Sequence, residues 1–315
     1  MDGADSIRRE KAELEARHGP WTAHNIRLAE GLYTLSEHPA GDEVKLRRVV
    51  QIVSDLFDAR LSELRVLDLA CLEGMYALEF ARRGSEVVAI EGREANLAKA
   101  RFSARALGLE IDFRLEDVRN LSREEHGEFD VVLCLGILYH LDAPDVFHFA
   151  ERLSAVCRRA LIVDTSVAGA GSEEQAHAGR VYRGSTLFEH DSSSSAEERL
   201  RALWSSLDNA SAWALTRPSL VSLLGRSGFT SVSECWLPAE PAKSPTRITL
   251  VALKGAEQEP LVTPKPTEDV SSVPGRPPAG ALLPSTRLWT LGRRAVPRPL
   301  RSRLRRLLGA ETRRH

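Results

Sequence analysis

Most of the side chains able to do chemistry stand at the ends of apolar runs. Glu91 closes Val87 to Ile90, Glu116 and Asp117 follow Ile111 to Leu115, Tyr139 and His140 follow Phe129 to Leu135, and Asp164 closes Ala160 to Val163. A fixed carboxylate can accept from both hydroxyls of a ribose, and a second acid can accept from an adenine amino group. An imidazole is the commonest general base toward a hydroxyl or an amine. His140 is therefore the candidate base, with Tyr139 beside it. A histidine that only orders its loop and the edge of a cofactor fits the same position.

The elements that must position these groups are legible from the runs. Residues 65 to 70 read as a buried strand with Asp68 embedded in it, followed by the tight connection Cys71-Leu72-Glu73-Gly74 and a helix from Met75 to Arg83. Val87 to Ile90 is the next strand, Asn96 to Leu107 a helix closed by Gly108, and Ile111 to Leu115 a third strand. Phe129 to Leu135 is a fourth, Pro144 opens a helix, and Ala160 to Val163 is a fifth. Asp42 to Leu61 has one apolar face and should dock on the sheet. Ser231 to Leu237 and Arg247 to Leu253 should close it as an antiparallel hairpin at one edge. The fold class is α/β, with a mostly parallel Rossmann-like sheet whose ligand lies beyond the carboxyl ends of the strands.

A dinucleotide cradle needs G-x-G-x-x-G. Here the positions after Asp68 run Ala70, Leu72, Gly74, and Leu72 would obstruct a diphosphate. S-adenosylmethionine has no phosphate, so its turn can relax the glycines while Glu91 takes the ribose. It is the expected cofactor, with Asp117 and Val118 at the adenine, and NAD is disfavoured. The acceptor should meet two further segments. Residues 1–41 read as an N-terminal lid carrying His24 and Tyr33, and 166–210 as an insertion carrying Arg183 and His190, with Asp164 at its root.

Composition sets the remaining bounds. The chain has 315 residues, 43% of them hydrophobic, and four cysteines without metal or disulfide spacing, so no metal is expected and a reducing cytoplasmic setting fits. The catalytic domain should span 42–255. A Pro-rich linker, 256–285, leads to a basic amphipathic tail, 286–315, with ten arginines and one acid after residue 286. The acidic body argues against nucleic acid. The tail suits an anionic membrane surface, an acidic partner, or a solvated end.

The segments VLDLACLEGMYALEFA, VVAIEGRE, FDVVLCLGILYHLDAP and SLVSLLGRSGF resemble a class I S-adenosylmethionine-dependent methyltransferase. GILYHLDAP is most similar to the group of the tRNA wobble-uridine (carboxy)methyltransferase and its specialised-metabolite relatives. The resemblance implies a seven-stranded sheet with an antiparallel last strand. It also implies cofactor contacts at Asp68, Ala70, Cys71, Gly74, Glu91, Asp117, Val118 and Leu135. Ala70 and Leu72 depart from the family's glycines. No basic residues identifiable in the sequence would hold the extra carboxylate of a carboxylated cofactor, so plain methyl transfer to a small-molecule or glycan acceptor is the expectation. A non-catalytic scaffold and a tRNA-modifying enzyme are the alternatives.

Overall fold

The runs around Asp68 and Cys134 are apolar without alternation because both faces of their strands are covered; Val66, Leu67, Leu69, Val131, Val132 and Leu133 are all fully buried. The computed structural model describes residues 3–36, 43–169, 173–237 and 244–255. The linker and basic tail expected beyond 255 lie outside the described residues.

Helix α1 (Gly3–His18) precedes a hairpin, β1 (Arg27–Ala29) with β2 (Leu32–Tyr33), and helix α2 (Glu43–Leu56). The central layer then alternates as β3 (Arg65–Leu69), α3 (Met75–Arg82), β4 (Glu86–Glu91), α4 (Glu94–Leu107), β5 (Asp112–Leu115), α5 (Arg123–His126), β6 (Phe129–Leu135), α6 (Asp145–Val156) and β7 (Cys157–Ser166). A cap follows, made of β8 (Glu173–His177), β9 (Arg180–Phe188), α7 (Ala196–Arg201) and β10 (Ser211–Leu215). Helix α8 (Arg217–Arg226), β11 (Ser231–Glu234) and β12 (Arg247–Leu253) close the chain.

The main sheet has seven strands in the order β11-β12-β7-β6-β3-β4-β5. Strands β3 to β7 run parallel, and β12 is antiparallel to both neighbours. The expected closing hairpin forms, but of its two strands only β11 lies at the edge, since β12 enters between β7 and β11. The cap sheet, β10-β9-β8, is antiparallel throughout. It seats on α6, where Phe147 packs against Tyr182 and Trp213 at ring separations of 5.2 and 5.5 Å. The backbone N–H of Trp213 donates to the carbonyl of Leu141 at 2.8 Å, which ties the cap to the loop after His140.

The N-terminal segment is held by a charge. Glu73, with its side chain fully buried, accepts from the backbone N–H groups of Thr22 (2.7 Å), Ala23 (3.0 Å) and His24 (2.8 Å). Lys99 Nζ lies 3.5 Å from the same carboxylate and donates to the Pro20 carbonyl at 2.6 Å. Trp21 then packs on Phe102 of α4 at 5.8 Å, on a helix rather than over the sheet edge. Glu73→Ala would leave the buried N–H groups of Ala23 and His24 without their acceptor and the Lys99 ammonium without its counter-charge. The expected loss is about 3 to 5 kcal/mol, measured as a lower urea midpoint at unchanged slope.

Candidate functional site

The turn after β3 adopts a backbone that its sequence does not favour. Ala70, Leu72 and Gly74 all have positive φ, at 51, 48 and 86°. This conformation costs a non-glycine residue about 1–2 kcal/mol. Only at Gly74 is glycine also needed for space, since a Cβ there would lie 2.9 Å from the Ala100 Cβ of α4. The strain is offset by Glu91, whose carboxylate accepts from the Leu72 N–H (2.9 Å), the Arg93 N–H (2.9 Å) and Asn96 Nδ2 (3.4 Å). Asp68 acts one layer deeper, accepting from the Ala77 N–H at 3.1 Å inside the start of α3.

A cavity of about 220 Å³ opens above this turn at the carboxyl edge of the sheet. Of the residues expected from the sequence, it gathers His24, Ala70, Glu91, Val118, Leu135, Tyr139 and His140. The others are placed elsewhere. Asp68 and Cys71 are buried outside the cavity lining, and Gly74 is the N-cap of α3. Asp117 caps a short turn through the Arg119 N–H (2.8 Å) and pairs with the Arg119 guanidinium, so its carboxylate is committed there. Asp164, fully buried, accepts from Arg247 Nε (2.6 Å) and Thr249 Oγ1 (2.7 Å), and so orients Arg247 instead of facing the cavity. Arg183 pairs with Glu174 on the exposed side of the cap, His190 binds the Ser206 carbonyl at 2.8 Å, and Tyr33 stays in the N-terminal hairpin.

His24 lies deep in the wall. Met75 N–H donates to its Nδ1 at 3.2 Å, so its proton sits on Nε2. Burial first, and then the neighbouring Lys45, push it down to about 3, and it stays neutral. His140 is arranged differently. Its Nδ1 lies 2.9 Å from both carboxylate oxygens of Glu189, which also accepts the Ser206 N–H at 2.7 Å. An ionised carboxylate at Nδ1 keeps the proton there and leaves the Nε2 lone pair free. Tyr139 packs on the same ring at 4.2 Å.

Sequence reasoning missed Glu189, although its neighbour His190 drew notice. It also missed Arg93, Lys45 and Arg247, which reach the cavity together with residues 203–207 of the expected insertion, whereas Glu189 meets His140 outside the cavity lining. Lys45, Arg93 and Arg247 are basic side chains in the cavity wall, and Arg247 pairs with Asp164. Arg93 donates to the carbonyls of Leu200 (3.0 Å), Ser205 (2.9 Å), Ser206 (2.7 Å) and Arg199 (3.3 Å), so the loop after Glu91 grips the cap. Leu207 lies over Gly92 so closely that a Cβ there would be 2.5 Å from Leu207 Cδ1.

Residues 66–160 match the family described as "Methyltransferase domain". Over 95 residues the chain is 41% identical to a "Ubiquinone biosynthesis O-methyltransferase" from Azotobacter vinelandii, which covers 30% of this chain and 41% of that protein. A protein of the same name from Hahella chejuensis is 38% identical over 92 residues, 29% of this chain and 39% of the relative. The chain thus spans about two fifths of the length of these curated relatives. Two crystal structures of the N-terminal domain of EvdMO1 superpose over 81% of the chain. One, with SAH bound, has a TM-score of 0.61 at 24% identity and is covered over 98% of its length; the other, in the presence of SAH and D-fucose, has 0.59 at 25% and 97%. The chain has the Rossmann-like α/β fold of these structures, one of which holds SAH, and S-adenosylmethionine is the group expected from the sequence. The cavity suits that group: Glu91 retains acceptor capacity toward a diol, and Val118, Leu135 and Leu72 offer apolar walls without a phosphate cradle.

Two outcomes test this geometry. Burial above all, and then the charge of Glu91, push the Asp68 carboxyl from 3.8 up to about 7 against the pull of the Ala77 N–H. The folded chain then binds this proton more tightly than the unfolded one, so stability falls as pH rises from about 4 to 7. Asp68→Asn lacks that loss. Its stability relative to the native sequence should rise between pH 5 and pH 8 by up to about 2.6 kcal/mol, followed by urea unfolding at each pH; a gap independent of pH refutes the assignment. Arg93→Met should speed amide exchange across 199–206 and leave β3 to β7 protected, as read by hydrogen-exchange mass spectrometry.

Proposed function

We propose that the chain transfers the methyl group of S-adenosylmethionine to a hydroxyl of a small molecule, with a sugar as the acceptor class to test first. The observation that carries this reading is His140, which lines the same cavity as Glu91 and is held at Nδ1 by Glu189. Bound, S-adenosylmethionine supplies a methyl group already activated on a sulfonium. Glu91 is suited to the ribose hydroxyls, and Val118 and Leu135 to the flanks of the adenosine. His140 accepts the acceptor's proton at Nε2 as its oxygen becomes nucleophilic, and Glu189 stabilises the imidazolium that results. Closure by Leu203, Trp204 and Leu207 would exclude water and hold the acceptor in line.

O-methylation is supported by the names of the curated relatives, and a sugar by the neighbour studied in the presence of D-fucose. Trp204 suits such an acceptor. It lines the cavity yet is 62% exposed, so one ring face is available to stack on the apolar face of a pyranose.

The test follows S-adenosylhomocysteine release over a panel of free sugars, sugar glycosides and catechols, with cofactor binding measured separately by calorimetry. His140→Ala should lower kcat by about 10²–10⁴-fold with cofactor affinity kept. Glu189→Gln should lose less, because it keeps a hydrogen bond at Nδ1 and removes only the charge. Full turnover by His140→Ala would remove the base. An absence of cofactor binding would sink the enzyme reading and favour a scaffold, and turnover of catechols alone would replace the sugar with a phenol.

A further inference from the structure

Away from the cavity, three side chains with metal-binding chemistry converge where the cap meets α6. His148 and Glu151 stand one turn apart on α6, and His177 ends β8. His177 Nε2 lies 2.7 Å from Glu151 Oε1, and His148 Nδ1 lies 3.5 Å from Glu151 Oε2. One donor atom from each residue lies within 4.8 Å of the other two, and no other such trio of His, Cys, Asp or Glu occurs among the described residues. None of the three lines the cavity.

We propose that His148, Glu151 and His177 form a site for a divalent transition-metal ion, zinc being the best match, which clasps the β8–β9 hairpin of the cap to α6.

Two imidazoles and one carboxylate are a zinc donor set, whereas calcium and magnesium take oxygen ligands. Zinc bonds of 2.0–2.1 Å at tetrahedral angles put donor atoms about 3.3 Å apart. The two histidine–Glu151 separations, 2.7 and 3.5 Å to different carboxylate oxygens, lie on either side of that value, and all three donors lie within 4.8 Å, so the ion would draw the side chains together by rotation. The i, i+3 spacing puts His148 and Glu151 on one face of α6. Both are about half exposed and free to adjust. His177 is the anchored partner, its ring stacked on Phe147 at 4.9 Å and 13°. Three protein ligands leave a fourth position for water.

The position gives the ion a structural consequence. Phe147, under His177, also carries Tyr182 and Trp213 of the cap. Strand β9 runs directly into Glu189, which holds His140. An ion bridging α6 and β8 would therefore stiffen the strand whose end positions the candidate base.

The test uses the full chain, stripped with chelator and dialysed, then titrated with zinc chloride by calorimetry and with cobalt(II) by visible absorption. One equivalent should bind, thermal unfolding should move upward, and cobalt should give ligand-field bands with histidine nitrogen in the shell. His148→Ala and Glu151→Gln, both at exposed positions, and His177→Ala should each weaken binding by more than about tenfold and abolish the thermal shift, with far-UV circular dichroism confirming the fold of every variant. Zinc uptake that is undiminished in His148→Ala and Glu151→Gln would place the ion elsewhere and overturn the proposal, as would a stripped chain that takes up no zinc or cobalt.

Discussion

The carboxylate of Glu91 fastens the turn after β3 to the loop that grips the cap. It accepts from the N–H of Leu72, in a turn that two non-glycine residues keep at positive φ, and from the N–H of Arg93, which grips the cap. Burial pushes its pKa upward, against the hydrogen bonds from Arg93 and Leu72 that favour the charge. Those donors let a carboxylate persist beneath the cavity, and they keep its remaining lone pairs directed at whatever occupies the space above. Without them, a turn lacking two of its usual glycines would have little to hold it open.

The same device recurs across the molecule. Glu73 collects three backbone N–H groups from the N-terminal segment, and Arg93 binds four backbone carbonyls of the cap. In each case one charged side chain on the sheet's carboxyl edge satisfies an irregular segment that could not satisfy itself, and a buried irregular backbone needs such a partner. The cavity is therefore bounded by loops fastened to the central layer through side chain to backbone bonds rather than through sheet extension. Its chemistry follows from the same arrangement, since Glu189 arrives on the cap while His140 belongs to the core.

Much of the central layer was readable because its signals are local. Continuous apolar runs bounded by turns marked β3 to β7, and β6 and β12 begin and end where the runs do. A helix N-cap at Thr216 and the Gly108 C-cap set their helix ends through bonds within a few residues. Glu91, Val118, Leu135 and His140 reach the cavity because a parallel sheet delivers the ends of its strands to one edge. The cap strands were missed: β8 reads Glu-Glu-Gln-Ala-His and β9 alternates weakly, so neither has an apolar run to announce it.

The sequence by itself determined the α/β class and which acid and histidine stand at the carboxyl edge of the sheet, because strand direction and apolar periodicity follow from neighbouring residues. Only the tertiary structure decided what those groups face. Asp117 and Asp164 look as available as Glu91 in the sequence, yet one is committed to Arg119 and the other to Arg247 and Thr249. Glu189 looks like a solvated acid, yet it meets His140 across 49 residues of chain. Whether a carboxylate is free, paired or orienting depends on which distant cation or N–H folding brings within about 3 Å, and no local pattern encodes that.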